Sequence, residues 1–478
     1  MSHSKFYSSL ILLILLNALI KPIWIFGIDR QVQNITGIAE YGTYFSLLNL
    51  SIVFGFLLDW GLTNFINREL AAKRFDLRQQ LGSFLLIKIL LAFIYAAVTS
   101  TVAILSGVRR WDILAGVIMI QFLTFLFVFF RSVITANQWF STDAWLSVLD
   151  KTIMILACGL LILSPSLLGA ITIHKFLLAQ IVSTTIAVLS SIAILLSRGI
   201  VFKKPNLKFL NRTILFSALP FAITVFLMSI HVRLDGFLLE RIHSNGAHEA
   251  GIYAAAYRLL DVSNMLGYLI ASFFMPFIAR LWSEGKPLQQ PILQTRHLQV
   301  MFAMTIVAIV VTLAPWLQKV LYHREDVYGV KILTWCLPAL LGYAFVQVYG
   351  TVMTATGNIV SFCYMNLLVV GINVIMNLFL IPRYGAFGCC ISALCSQLIL
   401  GLMTMIYVHR KFAAPIGYRS LLIYLVTGLL VAVVLDVLFK LSVTTWILVP
   451  VAALITFLFM RLSKMISLNN WNGSLKKQ

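Results

Sequence analysis

Long apolar runs separated by short charged or Gly/Pro-containing breaks fill almost the whole chain. A membrane-spanning helix needs about 20 mostly apolar residues. Runs of that length lie near 6–27, 42–66, 81–106, 112–135, 146–167 and 172–197, then near 213–234, 251–279, 298–321, 329–355, 359–381 and 386–409, and finally near 419–439 and 444–463. The pattern predicts an all-α polytopic membrane protein with about 14 transmembrane helices. The first run is longer than a signal-peptide core and no small-residue cleavage site follows it, so it is expected to persist as the first span.

Composition agrees with that class: 60% of residues are hydrophobic and 11% charged, against about 45–50% and 25% in soluble domains. The formal charge of +20 would raise the question of nucleic acid in a soluble chain, but its distribution points elsewhere. With the N-terminus inside, inner breaks hold 20 of the 36 Lys and Arg residues and outer breaks hold 10. Lys21, Lys88, Arg131, Lys151, Arg258 and Lys319 fall within or beside the spans. The positive-inside rule therefore places both termini in the cytoplasm, and no nucleic-acid partner is expected. The six cysteines sit in apolar runs without metal-ligand spacing and read as small apolar side chains. No D-x-D, H-E-x-x-H, G-x-S-x-G or Walker A sequence occurs, so neither catalysis nor a cofactor or metal is expected.

GIAEYGTY, Gly37 to Tyr44, returns as GAHEAGIY, Gly246 to Tyr253, with four identities at an offset of 209 residues. That offset lays helices one to six over seven to twelve, a duplication typical of transporters. The expected division is an N-terminal lobe over 1–198, a basic cytoplasmic linker over 199–212, a C-terminal lobe over 213–410, and two appended helices with a tail over 411–478. Both copies are expected at the outer face, entering the second helix of each lobe. There they serve as scaffold, with glycines for a tight turn and Glu40 and Glu249 at positive helix ends.

G-x-x-E-Y-G-x-Y is followed by LLDWGLTNFINREL, Leu57 to Leu70, and the second copy runs on as AGIYAAAYRLLD, Ala250 to Asp261, with Pro276 and then AFG, Ala386 to Gly388, further along. In these motifs, and over most of residues 1–410, the chain resembles the polysaccharide-transporter (O-antigen/oligosaccharide flippase, Wzx-type) branch of the multidrug/oligosaccharidyl-lipid/polysaccharide exporter superfamily. The resemblance implies two lobes around a central cavity open alternately to each side. It also implies that undecaprenyl-diphosphate-linked oligosaccharide moves from the inner to the outer face of the bacterial cytoplasmic membrane. Implied partners are the lipid-linked oligosaccharide, membrane lipid, a coupling H+ or Na+ and polysaccharide polymerase machinery. A peptidoglycan lipid-precursor flippase and a cation-coupled multidrug exporter are the alternatives within the superfamily. A membrane polysaccharide polymerase fits less well, because no outer break exceeds about 20 residues.

Carrying a diphosphate through hydrocarbon requires cationic groups at depth, and charges there face a cavity or a partner. Lys21, beside Pro22 and about two thirds of the way to the outer face, is a candidate diphosphate contact with Asn17 one turn before it. Its alternative is snorkelling to the interface. Arg30 in the first outer loop, Arg131 near the inner face, Arg233 ending helix seven and Arg258 two turns into helix eight complete the set, arginine being suited to bidentate phosphate contact. Pairing of Arg233 with Asp235, or of Arg258 with Asp261, is the structural alternative. Snorkelling or local pairing is the alternative for Arg131 and the reading for Lys88, Asp150 and Lys151, and a solvated loop arginine is the alternative for Arg30. Asp59, near the inner end of helix two, is expected to make a structural helix-end contact or to close a gate against a cation, ahead of binding a coupling ion, and Asp235 and Asp261 share the gating or coupling class. Tyr343 and Gln347, continuing through Thr351 and Thr354, and Asn366, Asn373 and Asn377 form neutral polar stripes at helical spacing. They suit glycan hydroxyls or polar contact between helices. Pro220, Pro276 and Pro338 are expected to kink or interrupt their helices.

Overall fold

A computed structural model describes residues 3–60, 77–200, 212–323, 326–463 and 465. Helix accounts for nearly all of them. The order is α1 His3–Pro22, a π-helical stretch Ile23–Asp29, α2 Arg30–Thr36, α3 Ile38–Val53, α4 Phe56–Asp59, α5 Leu77–Leu105, α6 Trp111–Ala136, α7 Phe140–Leu163, α8 Pro165–Leu168 and α9 Ile173–Ser197. There follow α10 Arg212–Ile242, α11 Gly246–Ser283, α12 Gln289–Tyr322, α13 Val327–Cys336, α14 Ala339–Ala355, α15 Ile359–Tyr384, α16 Ala386–Phe412, α17 Tyr418–Lys440 and α18 Thr445–Leu462. Thirteen spans among the described residues are long and apolar enough to cross a membrane. The second predicted helix is described only as far as Trp60, as α3 and α4 around a turn at Phe54–Gly55. The rest of the Leu57 to Leu70 motif, Arg68, Lys73, Arg74, positions 201–211 of the linker, Lys464, Lys476 and Lys477 lie outside the described residues.

Three sequence-based boundaries move, with consequences for the site. The first span runs without a loop through Asp29 into α2 and its apolar stretch extends from Ile11 to Thr36, so Arg30 lies on a helix rather than in an outer loop. Lys21 is then near the middle of the helical run from His3 to Thr36, rather than two thirds of the way along a shorter span. Pro22 lacks the N–H that would complete a regular turn, and the chain widens into the π-helical stretch directly after it. The seventh helix continues to Ile242, which puts Arg233 and Asp235 inside α10 instead of at its end. The eighth begins at Gly246, so Arg258 is more than three turns into α11. Pro338 does interrupt its helix, separating α13 from α14, while Pro276 is accommodated inside α11.

The chain forms two compact units, Met1–Ala254 and Ala255–Gln478. In the first, α1 lies along α7, α9 packs on α6 and α7, and α3 packs on α6 and α10. Phe84, Phe127, Phe129, Phe130 and Leu195 are buried in an aromatic-rich cluster. In the second, α14 packs on α12 and α16, and α17 packs on α12 and α18, joined through Leu313, Val431, Leu435 and Leu448. Phe93, Leu163, Phe379 and Trp446 stand exposed on outer surfaces, as expected where the solvent is lipid.

The two repeat copies meet each other inside the first unit. A Cβ placed on Gly42 would stand 1.9 Å from the Ala247 carbonyl oxygen, and one on Gly251 would stand 2.1 Å from the Ile38 carbonyl oxygen. Ile38 and Ala247 are themselves related by the 209-residue offset, so the contact is reciprocal: each glycine receives the backbone four residues before the other. This close approach of α3 and α11 needs small residues, as in other membrane helix crossings. Phe45 and Tyr253 pack edge to face with centroids 6.4 Å apart, and Gln33 donates to the Gly251 carbonyl at 2.8 Å. Only Gly37, with φ of 90°, supplies the expected turn; Gly42, Gly246 and Gly251 lie on helices.

Candidate functional site

α7 carries Asp143, Ser147 and Asp150 on one face at spacings of four and three, and that face meets α1 and α6. Arg131 of α6 grips Asp143 in a bidentate pair, Nε to Oδ1 at 2.7 Å and Nη2 to Oδ2 at 3.0 Å. Asn17 of α1 donates to the Ser147 hydroxyl at 2.7 Å. One turn further along both helices, Lys151 pairs with Asp150 at 3.1 Å, and its Nζ lies 5.6 Å from the Trp24 ring centroid. Trp24 stacks in turn on Phe176 of α9. Lys21 enters this group from α1, within electrostatic range of Lys151, Arg131 and Asp150, and makes no ion pair with any described residue.

The cluster thus holds three cations and two carboxylates, each carboxylate already bound by a neighbour. The surplus charge among them is Lys21, half-buried in the last turn of α1, where the chain continues into the π-helical stretch. An unpaired ammonium at membrane depth is costly and favours an anion beside it. Of the sequence-derived candidates, the structure brings Asn17, Lys21 and Arg131 together and adds Lys151, which had read as a locally paired group. Arg30 lies on α2, Arg233 on α10 and Arg258 on α11. Asp143 was missed because it falls in the break between two predicted spans, although its helical spacing to Ser147 and Asp150 was a usable signal.

A second acidic group was also missed. Asp29, at the end of the π-helical stretch, is 2% exposed and accepts a hydrogen bond from the Tyr41 hydroxyl at 2.7 Å. Asp59 at the end of α4 is bound by Lys88 of α5 in a buried ion pair, with the Lys88 Nζ 5.6 Å from the Phe129 centroid. At the other end of the first unit, Glu40 of the repeat receives a bidentate pair from Arg110 at 2.9 and 3.0 Å. Hydrogen bonds to Glu40, and then to Asp112, push the Arg110 guanidinium still further above its ordinary value.

The polar stripes of the second unit are seams between helices. Gln347 of α14 donates to Asn264 of α11 at 2.7 Å, and Tyr343 beside it is buried. Asn373 of α15 donates to Ser396 of α16 at 3.2 Å, and Asn377 donates to Asn373 at 3.1 Å. Asn366 donates to the Phe362 carbonyl of its own helix. All three asparagines are fully buried, and of their bonds the one from Asn373 to Ser396 crosses between helices. Arg296, counted above with the inner breaks, is instead fully buried in α12. It donates to the hydroxyls of Tyr349 and Tyr424 at 3.2 Å each and to the Ile416 carbonyl at 2.5 Å, which ties the segment before α17 to α12 and α14. Asp235 is buried in α10 and Asp261 is half-buried in α11.

Fold and site together define a polytopic helical membrane protein with a cationic cluster inside its N-terminal unit. No family model matches the sequence, and no curated protein matches it. Solved structures do share the fold. A lipid II flippase, MurJ, in an inward closed conformation is 15% identical with a TM-score of 0.70, over 95% of this chain and 98% of that one. An inward-facing multidrug resistance MATE family transporter of the MOP superfamily is 14% identical with a TM-score of 0.63, over 84% and 94%. The Vibrio cholerae MATE transporter VcmN in its bent form is 14% identical with a TM-score of 0.54, over 86% and 98%.

Proposed function

We propose that this chain is a flippase that carries a polyprenyl-diphosphate-linked oligosaccharide from the inner to the outer face of a bacterial cytoplasmic membrane by alternating access. The observation that carries this reading is Lys21: a lysine at mid-depth, without a carboxylate partner, beside two further cations. A diphosphate supplies the missing negative charge, and Arg131 and Lys151 exchange part of their bonding to Asp143 and Asp150 for phosphate oxygens as it arrives. In this reading residues 1–198 and 213–410 are the two lobes, 199–212 joins them, and both termini are cytoplasmic. Arg30, Arg233 and Arg258 extend the attraction for the anion along its path, and Asn17 supports Lys21. Tyr343, Gln347 and the asparagine stripe meet the glycan only if their seams part. Asp59, Asp235 and Asp261 serve closure or ion coupling, with H+ or Na+ as the coupling ion.

The reciprocal Gly42–Gly251 crossing closes the outer side in one conformation and separates in the other. A carrier of cationic drugs fits less well, because the unpaired deep charge is positive. The flippase fold covers 95% of the chain against 84% for the multidrug transporter, and that favours one second reading, in which the diphosphate carries a peptidoglycan precursor on the same cluster. The test is binding of a short polyprenyl diphosphate against the matching alcohol to purified protein. Lys21→Gln is expected to weaken diphosphate binding about tenfold, the equivalent of one charge-assisted hydrogen bond, while Lys21→Arg preserves it. Equal binding of alcohol and diphosphate refutes the assignment.

A further inference from the structure

The α1–α7 pair has a second built feature on its other side. A cavity of about 510 Å3 lies between α1, α7 and α9, walled by Leu16, Ile20, Trp145, Leu149 and Ile194. Its volume is within the range of small-molecule and lipid pockets. Ser141, Thr142 and Thr152 supply its few polar atoms. Trp145, Leu149 and Thr152 fall on the face of α7 opposite Asp143, Ser147 and Asp150, so the cavity opens away from the cationic cluster. Trp145 is 60% exposed there.

Arg198, the residue capping the C-terminus of α9, is joined to the cavity wall through Thr142 and rests on Trp139 beside it. Its Nη2 donates to the Thr142 hydroxyl at 3.0 Å, and its guanidinium lies 4.3 Å from the Trp139 ring centroid. A guanidinium has five N–H donors, so several remain for a phosphate. Tryptophans at one level with an arginine mark a headgroup boundary. The charge bias of the breaks places this end of α7 and α9 inside, where anionic lipids concentrate.

We propose that this cavity is a binding site for an anionic glycerophospholipid of the inner leaflet, separate from the diphosphate cluster. The lipid phosphate sits on Arg198 and Thr142, and one acyl chain runs along Leu16, Ile20, Leu149 and Ile194. The site needs an amphiphile: the apolar wall rejects a free phosphate, and the arginine selects charge over a zwitterionic headgroup. Occupancy braces α1 against α7 and α9 on the side away from Lys21.

The experiment is native mass spectrometry of the full-length protein in detergent, titrated with phosphatidylglycerol and phosphatidylethanolamine of identical chains. The wild type is expected to prefer phosphatidylglycerol about fivefold, the value of one arginine at an anionic surface. Arg198→Gln abolishes the preference, Arg198→Lys keeps it, and Thr142→Val, which conserves shape, reduces it. Leu149→Trp fills the cavity and lowers binding of both lipids. Equal binding of the two lipids to the wild type overturns the proposal, as does a preference that survives Arg198→Gln. Displacement of phosphatidylglycerol by an equal concentration of polyprenyl diphosphate in the wild type also overturns it, because the cavity then belongs to the transported lipid.

Discussion

Adding a single methyl at Gly42 tests the reciprocal crossing of the two repeat copies. The alanine Cβ would stand 1.9 Å from the Ala247 carbonyl oxygen and 2.6 Å from the Gly251 nitrogen, whereas ordinary contact begins at 3.4 Å. Both neighbours are backbone, so no side chain can swing aside and α3 and α11 must part by the difference, about 1.5 Å. Overpacking of this kind costs about 1–3 kcal/mol, and stretching the 2.8 Å bond from Gln33 to the Gly251 carbonyl adds about 1 kcal/mol. If the contact exists in only one of two conformations, a penalty of about 2–4 kcal/mol shifts their ratio by roughly 30-fold to several hundredfold. Ser46, one turn further along α3 and fully buried, reports the change. In a variant whose six native cysteines are replaced, Ser46→Cys is expected to resist a membrane-impermeant maleimide, and adding Gly42→Ala is expected to expose it. Gly251→Ala, which meets Ile38 in the same way, is expected to act alike. Protection unchanged by either alanine, in protein that still inserts and folds, refutes the reasoning.

Lys88→Met removes the buried ammonium that pairs with Asp59, which is expected to cost up to about 3–5 kcal/mol and to lower the thermal midpoint in detergent, while the double variant Lys88→Met/Asp59→Leu recovers most of the loss. Arg296→Met strips four neutral acceptors, the Tyr349 and Tyr424 hydroxyls and the Pro415 and Ile416 carbonyls, of their donor and is expected to destabilise the second unit by about 1–3 kcal/mol, seen as early proteolysis in the segment before α17. Glu40→Gln breaks a pair whose side chains are more than a third exposed, so its cost is expected to be at most about 1 kcal/mol and flipping is expected to survive it.

The spans were legible because each is a run of apolar residues long enough to cross a bilayer, and that signal needs no partner. The duplication was legible too, but its meaning was not. Identity of Gly42 and Gly251 reads equally as two separate turns, and only the packing of α3 on α11 shows that the copies face each other. Charges embedded in apolar helices were visible one at a time, and their pairing was not. Lys88 and Asp59 are 29 residues apart, and Arg131 and Asp143 lie on different helices. The place of Lys21 along its helix is not legible because Asp29 and Arg30 look like a loop in sequence, while the helix carries Asp29 through buried against Tyr41. The asparagine stripe illustrates the limit from the other side: amides at helical spacing serve a glycan or a neighbouring helix equally well until Ser396 is seen beside Asn373.

Translocation in proteoliposomes tests the central claim most directly. A polyprenyl-diphosphate-linked oligosaccharide placed in one leaflet is expected to reach a glycan-cleaving enzyme on the other side when wild-type protein is present. Lys21→Gln is expected to stop this movement at equal protein incorporation, and Lys21→Arg to restore it. Movement at the wild-type rate through Lys21→Gln, or no movement through the wild type, would contradict the account.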